Sequence, residues 1–468
     1  MTSPIIVPSY VSPRVRRFMD QQRDGVKIQP PPPFVETRFG RLDTIPWHLG
    51  DAGFADPKNF STPPHIVGAI VDYLVQGTGR NKLDRDNVKN EVLRMLDGFR
   101  DGSLTASELF MALAEFQARR NTGERYSGAY YDVSVTDRFK ELIAQERRRD
   151  GSVCIDPKQD IILMDSGSQA FDYLIKILGC KVLMPKPNFF TYHVVSNFYS
   201  ALEGNLDLLR RKAVLYDCDE DGMPKLDEIR RKVREDSEIK AILVINPNNP
   251  TGANYSRELL QEIVQIAEEN GLLIIADQVY NQLTLNMDRA VLLHELTTDV
   301  PIVEIMSFSK EYLMAGFRLG ALAFYNVNAA LAEVREIARK LDQQRMASNI
   351  VSCVGGVAAL EGSREHIGQM KEIFRRRREV FKGIDEIPGL KFIPPEAAFY
   401  GRIICSGRTG TEFATELLDG AAIATIPGDA FAFSDDPMPY PFTRVTLLTD
   451  ERRIQEGIER ISRLYSKK

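Results

Sequence analysis

Lys310 ends the segment Ile305-Met-Ser-Phe-Ser-Lys310, and Arg318 follows shortly before Gly320. The apolar residues before it (Ile302, Val303, Ile305, Met306) read as a buried strand. An ammonium group at such a strand end is costly to desolvate unless it is neutralised or put to use. One use is covalent, because a lysine amine condenses with an aldehyde cofactor to form a Schiff base. The other reading is a lysine on a surface loop. A phosphate on such a cofactor needs backbone N–H donors at a helix start and a guanidinium that can contact it with two nitrogens. Ser166-Gly167-Ser168-Gln169 lies where a strand gives way to a helix, a pattern many strand–helix turns share. Ser307 and Ser309 add hydroxyls, and Arg318 offers the guanidinium. Phe189 offers a flat face for an aromatic ring, or else covers core as a loop aromatic. Asp277 ends an apolar strand, where an ionised acid would be stabilised beside a cation such as a protonated ring nitrogen. Tyr280 and Asn249 can reach a phenolate oxygen, although Asn249-Pro-Thr-Gly252 also suits a plain tight turn.

The elements that would carry these groups alternate. Asp160 to Asp165, Gly179 to Pro185, Lys240 to Asn246 and Leu272 to Asp277 read as strands. Between them lie amphipathic helices, one with Phe171, Leu174, Ile175 and Leu178 on a single face. Another opens at Ser256, aligns Leu259, Leu260, Ile263 and Ile266, and stops at Asn270-Gly271. Strand–helix–strand repeats with apolar strands predict an α/β fold built on a mostly parallel sheet covered on both faces. Ligands in such sheets sit beyond the carboxyl ends of the strands, where the polar residues above fall. A long helix is expected from Asn328 to about Met346, followed by a smaller αβ region. Residues 1 to about 45, broken by the proline run Pro30 to Pro33, read as an extended arm. The charges Arg364, Glu365, Lys371, Glu372 and Arg375 to Arg378 read as a solvated helix face. The acidic run Asp217, Asp219, Glu220, Asp221 reads as a solvated turn, because it lacks the alternating ligands and closing glutamate of a calcium loop.

Composition narrows the class. The formal charge of −5 gives no electrostatic reason to expect nucleic acid or an acidic membrane surface as partner. The cysteines (Cys154, Cys180, Cys218, Cys353, Cys405) are scattered without a CxxC pair, which suits reduced thiols rather than a disulfide framework or zinc site. Arg14, Arg16 and Arg17 precede no apolar stretch, and Gly271 to Ala276 is far too short to span a bilayer. A cytoplasmic protein without metal is expected.

Asn249-Pro-Thr-Gly252, Asp277-Gln-Val-Tyr280, Ser307-Phe-Ser-Lys310 and Arg318, in that order, resemble the signature of pyridoxal-phosphate-dependent class I/II aminotransferases of fold type I. The resemblance runs from about residue 125 to 450. Gly128-Ala-Tyr130, Arg148-Arg-Asp-Gly151 and the Pro185 to Tyr192 loop lean toward the alanine and aromatic aminotransferase branch. The resemblance implies pyridoxal 5'-phosphate as cofactor, held as an aldimine by Lys310, which also shuttles the α-proton. It implies that Asp277 pairs with the ring nitrogen and that Tyr280 and Asn249 bond the ring oxygen. Ser168, Gln169, Ser307, Ser309 and Arg318 would hold the phosphate, with Phe189 on the ring face. Tyr130 would reach the cofactor of the neighbouring subunit of a homodimer. Arg444, Asn249 and Gly50 would meet the substrate, Arg444 by forking onto its α-carboxylate. The implied domains are 1–60 (arm and part of the small domain), 61–330 (large cofactor-binding domain with a helical insert at about 78–124) and 331–468 (small domain).

Three features depart from that family. The stretch between Tyr73 and Arg125 is long, Val135 stands where a glycine is usual, and Ala397-Ala398 replaces a usual glycine pair before Phe399-Tyr400. The expected activity is amino-group transfer between an amino acid and a 2-oxo acid. The alternative is β/γ-elimination, replacement or carbon–carbon bond formation on an S-adenosylmethionine-like substrate, as in aminocyclopropane-carboxylate synthases. A non-catalytic sensor module is disfavoured because no recognition helix is evident before residue 125. Arg444 argues against α-decarboxylation, and with no second arginine identifiable for a distal carboxylate, neutral or bulky amino acids are expected.

Overall fold

The structure is a computed structural model. It describes residues 44–48, 50–76, 94–98, 102–104, 108, 133–149, 154–202, 212–344, 348–433 and 435–466. The arm before residue 44, the Tyr130 motif and most of the 78–124 insert lie outside these residues. A short strand β1 (Ile45–Pro46) leads to helices α1 (Pro64–Gln76) and α2 (Val133–Arg149). Then come β2 (Ile161–Met164), α3 (Gly167–Ile177), β3 (Lys181–Lys186), α4 (Phe190–Leu202), β4 (Ala213–Asp217), α5 (Leu226–Glu235) and β5 (Ile239–Ile245). The alternation continues through α6 (Arg257–Asn270), β6 (Leu273–Asp277), β7 (Ile302–Ser307) and β8 (Gly320–Tyr325).

β2 to β8 form a seven-stranded sheet in the order β2-β8-β7-β6-β5-β3-β4. Neighbours from β7 through β4 run parallel, and β8 alone is antiparallel to the strands on either side. The sheet is mostly parallel, as the strand–helix alternation predicts. Its strands are nearly continuous apolar runs because both faces are covered. Ile242, Val244, Ile274, Ala276 and Ile302 enter one core cluster, while Leu243, Ile245, Ile275, Val303 and Ile305 enter the cluster on the other side. Successive side chains therefore serve opposite faces, the period-two geometry of a strand. Helix α6 has the expected signals: Ser256 accepts a hydrogen bond from the Leu259 N–H, and Gly271 closes it in the left-handed conformation at φ 62°.

After the large sheet follow α7 (Ala329–Gln344), α8 (Ile350–Glu361), α9 (Glu365–Phe381), β9 (Leu390–Ile393), β10 (Tyr400–Cys405) and α10 (Gly410–Ala421). The chain ends with β11 (Ile423–Ala424), β12 (Ile426–Pro427), β13 (Phe442–Thr446) and α11 (Glu451–Tyr465). Strands β12-β13-β10-β9 make a four-stranded antiparallel sheet. β1 pairs in parallel with β11, which draws the N-terminal segment into this C-terminal unit. Trp47, Phe60, Phe374, Phe381, Phe399 and Ile454 share one core cluster there.

Helix α9 corrects the expectation of a solvated face only in part: Glu365, Glu372 and Arg376 are exposed, but two of its charges are not. Arg377 is fully buried, with its guanidinium ion-paired to Asp56 and donating to the carbonyls of Leu447 and Leu448. Lys371 is buried as well, and its Nζ donates to the carbonyls of Met287 and Asp288. In the acidic turn, Asp217 pairs with Lys186 at 2.8 Å and Glu220 with Lys391 at 2.5 Å. Among the described residues no helix is long and apolar enough to cross a membrane.

Candidate active site

Register brings the polar residues to one edge of the large sheet. Ile245 at the end of β5 pairs with Asp277 at the end of β6, and Asp277 pairs with Ile305 of β7. The turn after β5 carrying Asn249, the end of β6 carrying Asp277 and the segment after β7 carrying Lys310 are thus neighbours at the carboxyl ends of parallel strands. Helix α3 starts at the same edge. A Cβ on Gly167 would lie 3.2 Å from Ile305 and 3.7 Å from the Ser307 Cβ, so the first turn of α3 rests directly on β7. Gly320 lets this happen: a Cβ there would come within 2.6 Å of the Met306 carbonyl oxygen and 3.0 Å of the Ser166 backbone. Ser166 caps α3 by accepting from the Gln169 N–H at 3.1 Å. The N–H groups of Gly167 and Ser168 have no acceptor within the helix and face the edge where an anion would be favoured.

Asp277 is buried. Its carboxylate accepts from the Tyr192 hydroxyl at 2.6 Å and, at 3.4 Å, from the Val279 N–H. Burial pushes its pKa from 3.8 to about 6, with the Tyr192 and Val279 bonds pulling the other way. Among the described residues no cation stands beside it. A buried acid without a cation is the partner that a protonated ring nitrogen completes. Tyr192 is the member of this site that sequence reasoning quoted only as the end of a loop; its spacing from Phe189, now seen edge-to-face at 5.5 Å, was the available signal.

Lys310 is half-buried in the turn after β7, and its Nζ donates to the Gly50 carbonyl at 2.8 Å. The adjacent Glu311 is buried, accepts from the Gln282 N–H at 2.8 Å, and is pushed up to about 8 by desolvation. Nothing in the sequence separated Glu311 from an ordinary surface glutamate. Ser307 accepts from the Ser309 N–H at 3.3 Å. Arg318 is exposed, and its Nη1 donates to the Ala315 carbonyl at 2.8 Å.

Arg444 of β13 is buried. Its Nη1 donates to Asn249 Oδ1 at 3.0 Å and its Nη2 to the His48 carbonyl at 3.1 Å. Its Cζ lies 4.6 Å from the Tyr400 ring centroid and 5.3 Å from that of Phe431. The Nε is buried and has no hydrogen-bond partner among the described residues. A buried guanidinium with an unused N–H is costly until an anion meets it. Gly50 adjoins this group, since a Cβ there would lie 4.0 Å from Arg444 Nη2. The Tyr280 hydroxyl bonds that of Tyr400 at 2.8 Å. Another buried arginine, Arg402, stands opposite Arg444 in the β10–β13 ladder; its Nη1 donates to the Tyr440 hydroxyl at 3.1 Å, and its Nε and Nη2 have no hydrogen-bond partner among the described residues. Lys310, Asp277, Tyr280, Asn249, Arg444 and Gly50 are therefore brought together, while Tyr130 is outside the described residues.

Residues 112–461 match the family model for aminotransferase class I and II. The chain belongs to the class I and II aminotransferases. It is 28% identical over 339 residues to a probable aspartate/prephenate aminotransferase of Aquifex aeolicus, covering 69% of this chain and 80% of that one. It is 30% identical over 320 residues to a putative aminotransferase of Bacillus subtilis, covering 66% and 77%. The fold matches that of an alanine aminotransferase from Pyrococcus furiosus, with a TM-score of 0.71 and 23% identity over 97% of this chain and 96% of that one. The chain is thus an amino-group transferase of fold type I, from a family that works with pyridoxal 5'-phosphate. These relatives are named for transfer, which supports transamination over the elimination alternative. The donor set of this aminotransferase suits that cofactor: a buried carboxyl lacking a cation, a lysine amine at the neighbouring strand end and a helix N-terminus at the same edge.

Proposed function

We propose that the chain binds pyridoxal 5'-phosphate between Asp277 and Lys310 and moves an amino group between a neutral or bulky amino acid and a 2-oxo acid. When bound, the cofactor supplies an electron sink for the bond broken at the substrate Cα. The chain's residues do the rest. Asp277, shielded from water, holds a proton at the ring nitrogen. The Lys310 amine would tether the cofactor and, once the substrate amine has displaced it, would take the proton at Cα and return it to the former aldehyde carbon, across the intervening nitrogen. Arg444, with Asn249 and Gly50 beside it, orients the α-carboxylate with its donors and fixes which Cα bond faces Lys310. Tyr280 and Asn249 bond the ring oxygen, and Phe189 covers the ring face. The α3 start with Ser168 and Gln169, together with Ser307, Ser309 and Arg318, holds the phosphate. Tyr130 of a second copy completes the site in a homodimer.

What supports this reading is the unpartnered Nε of Arg444, which lies beside the Gly50 that accepts Lys310, together with the cation-free Asp277 carboxyl at the end of the strand next to β7. The rings of Tyr400 and Phe431 around Arg444, with Phe399 at 6.0 Å from Lys310 Nζ, make an aromatic wall that favours an apolar or aromatic substrate side chain. In the test, wild-type protein supplied with cofactor gives the pH-sensitive absorbance of a lysine-linked aldehyde and a mass adduct after borohydride, and Lys310→Ala gives neither. An adduct that persists in Lys310→Ala overturns the assignment.

A further inference from the structure

We propose that Tyr400 is a positioning residue with two separable parts: its hydroxyl sets the donor strength of Tyr280, and its ring holds the carboxylate-binding Arg444. The proposal rests on the reading of the site given above. Tyr400 opens β10 and is buried. In the β10–β13 ladder it pairs with Thr446, and Arg402 pairs with Arg444, so Tyr400 and Arg444 are diagonal neighbours on one face. Diagonal pairs are within reach of long and aromatic side chains, and the Arg444 Cζ lies 4.6 Å from the Tyr400 ring centroid. A guanidinium over a desolvated aromatic face is attracted to the ring quadrupole. The ring thus fixes Arg444 from below without consuming any N–H.

The hydroxyl turns the other way. It meets the Tyr280 hydroxyl at 2.8 Å with the two rings perpendicular. Each phenol has one proton to give. When Tyr280 donates to the ring oxygen of the cofactor, the proton in the tyrosine–tyrosine bond has to come from Tyr400. That bond polarises Tyr280 and strengthens its own donation. The charged groups facing the pair are Asp277 from β6 and Arg444 from β13, with Lys310 reaching the Gly50 carbonyl beside them. A Cβ on Gly50 would lie 3.6 Å from the Tyr400 oxygen, so this hydroxyl sits where the fork, the tether and the phenol donor converge.

The experiment compares cofactor-loaded wild type, Tyr400→Phe, Tyr400→Leu, Tyr280→Phe and the Tyr280→Phe/Tyr400→Phe double variant. For each, the midpoint of the pH-dependent cofactor absorbance and KM for the amino-acid substrate are measured. Tyr400→Phe is expected to raise the midpoint by about half a unit to one unit while KM stays within about twofold. Tyr400→Leu should show the same midpoint shift and, in addition, a KM raised roughly tenfold, as expected for a lost desolvated cation–π contact. The double variant should shift no further than Tyr280→Phe alone. A Tyr400→Phe midpoint equal to wild type, or additive shifts in the double variant, overturns the proposal. A wild type without any pH-dependent absorbance instead overturns the underlying reading of the site.

Discussion

Asp277 is buried and accepts a 2.6 Å hydrogen bond from Tyr192; burial gives its carboxyl a pH dependence, opposed by that bond, that can be measured without cofactor. The carboxyl titrates near 3.8 when unfolded and at about 6 when folded, so the folded state binds more protons between those values. Its contribution to stability is whole below 3.8, is lost as pH rises through about 6, and is flat above. Removing the phenol hydroxyl raises the folded value further. The extra cost of Tyr192→Phe should therefore be constant below about pH 6 and grow above it, by at most about 1.4 kcal/mol per pH unit, before levelling. Denaturant unfolding of the cofactor-free protein at pH 5 and pH 8 checks this; an equal cost at both values would show that the hydroxyl does not act on Asp277. Lys310, Asp277 and Asn249 could be singled out in the sequence because each sits in a short run of residue types suited to a task, and Arg444 through the family resemblance alone. Tyr192, Tyr400 and Glu311 were not, because their tasks arise from contacts across the fold. The Tyr192–Asp277 bond spans 85 positions and the Tyr280–Tyr400 bond 120.

The alternation of strand and helix was readable because hydrophobic period and caps act locally, as at Ser256 and Gly271 of α6. Helix α9 was not, because a run of charges fixes neither which side faces inward nor what waits there. Arg377 is buried only because Asp56 and the carbonyls of Leu447 and Leu448, from two distant segments, converge on it. The usual glycine pair replaced by Ala397-Ala398 shows the same limit: Ala398 takes φ 55°, the left-handed region, and its N–H donates to the Leu283 carbonyl at 2.8 Å. The contact between α3 and the β7–β8 pair is open to disruption by a single change. In Gly320→Ala the added methyl meets the Met306 carbonyl and the Ser166 backbone, neither of which is a flexible side-chain end. We expect a loss of about 1–3 kcal/mol in unfolding free energy, as for other overpacked sites, together with weaker cofactor binding as the first turn of α3 is pushed off β7. Thermal melts and cofactor titration read the two effects separately. An unchanged melt would mean that the helix start has slack here.

At the scale of the molecule, one short length of chain touches both the C-terminal unit and the polar edge of the large sheet. Residues 45–48 and 50 pair with β11 through Ile45, accept the Thr446 N–H at the Trp47 carbonyl, accept Arg444 at the His48 carbonyl and accept Lys310 at the Gly50 carbonyl. The Arg444–His48 contact joins residues 396 positions apart, so no local pattern announced it. Trp47 is the chain's one tryptophan and is fully buried, edge-on to Phe381 at 4.8 Å. Gly457 leaves it room, since a Cβ there would come within 2.3 Å of the indole. The folded protein should accordingly emit at short wavelength and resist acrylamide quenching, and both properties should vanish when this segment comes away from α11. A lone indole thus gives this seam its own optical signal, so detachment of the segment can be timed apart from melting of the large sheet.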